Sequence, residues 1–262
     1  MTYAVYAVRY ARHDRTAAEN FLGGDPHDVA MPLDYFVWAA VGQGRSFVID
    51  TGFGAVEAKA RGRQLLRSPG DGLRAIGIEP AEVQDVIVTH MHYDHAGNLD
   101  LFPNATFHIQ ERELRYVTGR AMTHRVLAGS FAVADVIGMV QRVYRGRVAF
   151  HDGDAELAPG LSVHHIGGHT AGLQSVRVLT ERGHVMVASD AAHLYLHLDE
   201  RRAFPTVLHV GDMLLGHDKL RRLASSERHI VPGHDPLVMT RYPPSRPDLV
   251  NIVARLDAPP RD

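Results

Sequence analysis

Short apolar runs, separated by glycine, proline and acidic residues, set the pattern of this 262-residue chain. Residues 3–10 (YAVYAVRY), 35–41 (YFVWAAV) and 46–50 (SFVID) are rich in β-branched and aromatic side chains, which predicts three strands. Gly42-Gln43-Gly44 supplies a hairpin turn between the last two. Residues 83–89 (VQDVIVT) end in a nearly unbroken apolar run, as expected of a strand buried on both faces. Further strands are predicted at 106–109, 148–151, 161–166, 175–179, 185–188 and 228–231. Between them, 55–68 is polar and Arg-rich and reads as a surface helix, while 73–78 and 111–118 are short helices. Residues 132–145 place Val133, Val136, Ile137, Val140, Val143 and Tyr144 at helical spacing, and 211–225 is amphipathic. A long Gly/Pro/Asp loop occupies 21–32, and the Pro-rich tail from Tyr242 is expected to wrap the surface. Both halves read as strands followed by a helix. The pattern predicts an α/β fold of two similar αβ layers packed sheet to sheet, with residues 1–262 as one domain.

Composition narrows the function. With 45% hydrophobic and 22% charged residues, the chain can bury a core. Lys+Arg 28 against Asp+Glu 30 leaves a net charge of -2, which offers no footprint for nucleic acid or an anionic membrane surface. Cysteine is absent, which removes thiol nucleophiles and zinc-thiolate sites. The N-terminus lacks the pattern of a secretory signal and no run is long and apolar enough to span a membrane, so the expected location is cytoplasmic. Histidine stands out at 18 residues, twice the number of Tyr or of Phe.

The densest chemistry is His90-Met91-His92-Tyr93-Asp94-His95, directly after the strand predicted at 83–89. Two His at i and i+2 on an extended exit project to one side, and Asp94 and His95 follow where the chain reverses. Four ligand-type side chains in six residues would repel and suffer desolvation without a cation. Three later residues stand at the ends of predicted strands: His169 between glycines in GGHTAG, Asp190 in ASDA, and His234 in VPGHD. The C-terminal ends of strands are where sites form on αβ scaffolds. His13, His27, His124, His184 and His217 read as solvated. His164 and His165 point to opposite faces of their strand, so at most one can near a cleft.

The ordered set His90-x-His92-x-Asp94-His95, Gly-His169-Thr, Asp190 and Gly-His234 resembles the ligand set of the metallo-β-lactamase superfamily. Ile49-Asp50-Thr51-Gly52 resembles that family's first motif, whose Asp packs behind the metal loop. The likeness runs over roughly residues 35–235. It implies a four-layer αβ/βα sandwich of the metallo-β-lactamase type with two divalent metal ions in a cleft at one edge of the sheets. His90, His92 and His169 would hold one metal, Asp94, His95 and His234 the other, and Asp190 would bridge. Such ligands suit Zn2+ and also accept Mn, Fe or Co.

Within the superfamily, the chain is most similar to the N-acyl-homoserine lactonase group. The β-lactamases lack a bridging carboxylate at the Asp190 position. Glyoxalase-II-like thioesterases append a helical domain, for which the 28 residues after His234 leave no room. The resemblance implies opening of a lactone ring by a metal-bridging hydroxide, with Asp94 passing a proton to the leaving alkoxide. An ester, thioester or phosphodiester hydrolase on the same scaffold is the alternative. Those lactonases commonly carry a Tyr three residues after the bridging Asp, whereas this chain has His193 there and Tyr195 two further on. Either could donate to the substrate carbonyl. Phe21, Leu22, Met31 and Leu33 could cover an apolar group of the lactone, or form core or a homodimer contact.

Overall fold

The computed structural model describes residues 2–27 and 29–261, so Asp28 of the loop at 21–32 lies outside the described residues. The strands are β1 (Ala4–His13), β2 (Leu33–Gly42), β3 (Arg45–Ile49), β4 (Gln64–Leu65), β5 (Asp85–Ile87), β6 (Thr106–Gln110) and β7 (Val148–His151). They continue as β8 (Ala155–Ala158), β9 (Leu161–His165), β10 (Gln174–Thr180), β11 (Gly183–Ser189), β12 (Ile230–Pro232) and β13 (Val253–Arg255). One sheet runs β13-β1-β2-β3-β5-β6-β7 with β4 paired onto β1, and the other runs β12-β11-β10-β9-β8.

Strand β2 shows how the layers form. Tyr35, Val37 and Ala39 face a core under the outer helices, shared with Val48, Val86, Phe107 and Leu73. Phe36, Trp38 and Ala40 face the opposite core between the sheets, against Val163, Val176, Val178 and Val187. Successive side chains alternate faces, so a strand apolar at both parities must be covered on both sides. A third core beyond the second sheet joins Ile166, Leu173, Met186 and Ala188 to Leu220. The resulting helix–sheet–sheet–helix order is the four-layer αβ/βα sandwich expected from the sequence.

Several local expectations need correction. The helix expected over 55–68 stops after Ala55–Ala60, because Gly62 turns the chain with φ +64° and Gln64–Leu65 then pairs with Ala11 and Arg12. The tail does more than wrap: β13 hydrogen-bonds to β1 and extends the first sheet. The helix Val133–Tyr144 buries Met139 and Arg142 but leaves Val133, Ile137 and Tyr144 exposed. His217 on the helix Val210–Leu223 is fully buried and bonds the Ala191 carbonyl through Nε2. Among the described residues, no helix is long and apolar enough to cross a membrane.

Parallel pairing of β3 with β5 and of β11 with β12 brings four strand exits to the same edge. The segments that leave there carry Asp50, His90–His95, Asp190 and His234.

Candidate metal centre

The first sheet supplies a single loop. Past β5, Thr89 donates its backbone N–H and its hydroxyl to the two oxygens of Asp50 at 2.7 and 2.8 Å, which pins the start of the loop. His90 follows, His92 is in extended backbone, and the short helix Tyr93–Ala96 turns Asp94 and His95 inward. The second sheet supplies three turns. His169 lies in the β9–β10 connection, where a Cβ on Gly168 would meet the backbone of Met213 at 2.4 Å. Asp190 follows β11, and His234 follows β12, where a Cβ on Gly233 would lie 2.8 Å from Asp190 Oδ1. Asp50 and Ser189 adopt left-handed backbone, φ 62° and 48°, costly conformations that concentrate at functional sites.

The histidine tautomers follow from their outer partners. His169 Nδ1 donates to the Thr206 carbonyl at 2.6 Å, and His234 Nδ1 to the Asp34 carbonyl at 2.9 Å. His95 Nδ1 donates to Asp50 Oδ2 at 2.8 Å, and His90 Nδ1 to Thr89 Oγ1 at 3.2 Å. A neutral imidazole bound outward in this way presents an Nε2 lone pair inward. Those inner atoms converge. His169 Nε2 lies 2.9 Å from His92 Nδ1 and 3.2 Å from His90 Nε2, and His90 Nε2 lies 3.0 Å from His92 Nδ1. His234 Nε2 and His95 Nε2 lie 3.0 and 3.3 Å from Asp190 Oδ1. His95 Nε2 and Asp190 Oδ1 are buried without a hydrogen-bond partner.

Acceptor facing acceptor in a dry site is unfavourable until a cation lies between them. The donor set therefore fits divalent metal. Among the described residues, three overlapping groups could hold an ion: His90, His92, His169 with Asp190; Asp94, His95 with His234; and Asp190, His193 with His234. Burial and the neighbouring imidazoles hold the pKa values of His90 and His92 well below the ordinary range. Burial opposes charge on His95 and His234 too, but Asp190 and Asp94 outweigh it and raise both pKa values, so a proton and a metal ion compete for the place between these rings and the carboxylates. Burial likewise disfavours the Asp190 carboxylate, yet His234, His95 and His193 keep it ionised.

All seven residues expected as ligands thus meet in one cluster. Asp50 stands behind it, as the first-motif likeness implies. His193 Nε2 lies 2.9 Å from Asp190 Oδ2, and its ring stacks on Phe204 at 3.6 Å between centroids. Tyr195 is a correction. Its ring packs into the core between the sheets beneath the Arg241 guanidinium, so this side chain is not brought to the cluster. Neither His164, bound to Asp154 and Ser162, nor His165, bound to the Ala171 carbonyl, joins it.

Sequence reasoning missed Glu113. This fully buried carboxylate accepts from Met91 N at 2.9 Å, Thr170 Oγ1 at 2.7 Å and Gly172 N at 2.9 Å. It ties the loop of His90 and His92 to the loop of His169. Asp34 and Thr206, which orient His234 and His169 through backbone carbonyls, carried no signal at all.

Residues 30–234 match the family described as the metallo-beta-lactamase superfamily. The chain is 33% identical over 171 residues to N-acyl homoserine lactonase AttM of Azorhizobium caulinodans, covering 63% of this chain and 62% of that protein. It is 27% identical over 133 residues to N-acyl homoserine lactonase AiiA of Bacillus thuringiensis subsp. kurstaki, covering 50% and 48%. These matches take in less than two thirds of the relatives' length. A solved quorum-quenching N-acyl homoserine lactone lactonase superposes with a TM-score of 0.75 at 20% identity, over 90% of this chain and 94% of that one. A hydrolase of the beta-lactamase superfamily, AbOPH, superposes at 0.68 with 17% identity, over 88% and 87%. By the extent of the family match and the shared architecture, this chain belongs to the metallo-beta-lactamase superfamily.

Proposed function

We propose that this chain is a dinuclear-metal hydrolase that opens the ring of a lactone, an N-acyl-homoserine lactone or a relative of it. The observation that carries the reading is the convergence of the inward Nε2 atoms of His90, His95, His169 and His234 on Asp190, with each outer nitrogen already satisfied. His90, His92 and His169 would hold one ion, Asp94, His95 and His234 the other, and Asp190 would lie between them. Zn2+ suits these ligands, with Mn, Fe or Co as accepted substitutes. When bound, such ions supply Lewis-acid activation of a carbonyl and of water. The names of the curated relatives favour a lactone over other esters.

The protein's own groups have three tasks in this reaction. Phe131, 4.5 Å from His92 between ring centroids, and Phe204, stacked on His193, keep water from the sides of the cleft. Asp94 is the most exposed of the seven expected ligands at 8%; burial works against its charge but His95 and His234 keep it ionised, so its carboxylate can take the proton that the attacking water loses and pass it to the departing ring oxygen. His193 is neutral, its pKa lowered by burial to about 3, and ionised Asp190 can only accept. The His193 proton therefore sits on Nε2 and is held by Asp190 Oδ2 at 2.9 Å; it donates to a developing oxyanion by exchanging that partner for the substrate oxygen.

Elemental analysis of reconstituted protein should return close to two divalent metals per chain. A panel of lactones, esters, thioesters and phosphodiesters then tests the substrate. Ring opening of γ-lactones at the highest kcat/KM is expected. Phosphodiester hydrolysis with no lactone opened would discard the lactonase reading.

A further inference from the structure

A basic wall flanks the metal cluster. Tyr93 stands between His92 and Asp94 in the chain, and its hydroxyl accepts from Arg63 Nε at 3.0 Å. That hydroxyl lies 3.3 Å from the hydroxyl of Tyr35, whose ring stands edge-on to His234 with centroids 5.0 Å apart. The Arg61 guanidinium covers the Tyr93 ring at 4.0 Å and donates to the carbonyls of Gly129 and Phe131, at 2.8 and 3.2 Å. Phe131 in turn touches His92. Two guanidinium groups therefore lie one side chain away from candidate ligands. The turn at Gly62 brings them there, in a stretch whose composition reads as plain surface helix.

Charge on this wall is not balanced. Arg61 has Glu57 at 2.7 Å. Arg63 makes no ion pair among the described residues and Asp94 acts on it only at longer range; besides Tyr93 it donates to the Arg61 carbonyl and to His13 Nε2, at 2.6 and 3.0 Å. His13 cannot answer that charge, since burial, Arg63 and Arg15 lower its pKa to about 4 and leave it neutral. Arg15 donates to the Glu19 carbonyl, while the Glu19 carboxylate is turned to cap Thr16 N at 2.8 Å. Arg15 Nε and His13 Nδ1 are buried without a hydrogen-bond partner. The half-buried charge of Arg63 is thus answered only at a distance, by the same Asp94 that the cluster uses, and its Nη2 makes no hydrogen bond among the described residues. Two apolar residues of the 21–33 stretch are already committed elsewhere. Phe21 is spent against His197 and Arg202, and Leu33 is core.

We infer that the Arg63 wall recognises an anionic substituent, a carboxylate, on the lactone. The Nη2 group of Arg63 can give a carboxylate charge-assisted N–H donors, which a neutral acyl chain cannot use. This rests on the lactonase reading for the ring but not for the charge.

The test separates the two. Metal-reconstituted protein is titrated calorimetrically with 2-hydroxyglutarate, the product of opening γ-butyrolactone-γ-carboxylate, and with 4-hydroxybutyrate, which lacks the second carboxylate. The wild type should bind 2-hydroxyglutarate about tenfold tighter or more, the scale of one charge-assisted pair. Arg63→Met should erase the preference, and Arg63→Lys, which keeps the charge without the planar fork, should retain part of it. Equal binding of the two ligands by wild type, or an unchanged preference in Arg63→Met, overturns the inference. If Arg63→Met does not fold, Arg63→Lys decides: an undiminished preference overturns it. Turnover of γ-butyrolactone-γ-carboxylate against its methyl ester is measured in parallel. A binding preference without any ring opening would sink the lactonase reading and leave the anion site standing.

Discussion

The two sheets deliver their shares of the metal cluster by different means. The first sheet sends four donors on one six-residue loop, His90 to His95, held by Asp50 and Thr89 through bonds at its own base. The second sends His169, Asp190 and His234 on three turns, each of which requires something unusual. Gly168 and Gly233 leave no room for a Cβ, and Ser189 is left-handed. A contiguous loop can be shaped by local hydrogen bonds. Donors 65 residues apart, such as His169 and His234, meet only because the strands beneath them are registered. Glu113 joins the two arrangements with one carboxylate.

The strongest test of this contrast is Asp190→Ala. It removes the group on which both halves converge, so activity should fall by about 10³-fold or more together with metal content. Normal turnover would refute the bridging assignment. Next comes His193→Phe, which should lower kcat on lactones by about 10²–10³ while two metals remain bound, the usual effect of losing one oxyanion donor. Loss of one metal instead would make His193 a ligand, in the group it can form with Asp190 and His234.

Glu113→Ala should weaken metal binding by about 10–100-fold at the His90, His92 and His169 group only, because it frees one loop from the other. Glu113→Gln retains an acceptor oxygen and should lie between the two. Equal weakening at the Asp94, His95 and His234 group would show that the halves are not separately held. Competition titration with a chromogenic chelator reads both sites.

The smallest effect lies away from both sheets' turns. Burial, reinforced by Glu57, raises the Asp135 pKa from 3.8 to about 7. The folded chain then holds a proton that the unfolded chain releases, so stability falls as pH rises through that window. Asp135→Asn should therefore be more stable than wild type above about pH 7, by on the order of 1–2 kcal/mol after allowance for solvent screening. Near pH 4 the two should unfold alike. Urea denaturation at the two pH values checks the sign, and metal content should not change at either.

What the sequence determined by itself was whatever depends on neighbours in the chain. Strand β2, apolar at both parities, had to be covered on both faces, and the six residues after β5 had to face a cation. The turns GGHTAG and VPGHD marked their histidines because a glycine beside a ligand signals backbone that must pass close to something. Tertiary structure decided the rest. Tyr195 and His193 stand two residues apart, yet only His193 meets the cluster, since the chain turns into the helix Tyr195–Asp199 between them. His217, on the amphipathic helix of 211–225, reads as solvated, yet it is fully buried with its Nε2 on the Ala191 carbonyl. Arg61 and Arg63 looked like surface charge until Gly62 folded them against Tyr93. Periodicity reports how often a position is buried. It does not report which acceptor, tens of residues away, will be waiting when the sheets come together, and that pairing sets tautomer, charge and ligand geometry.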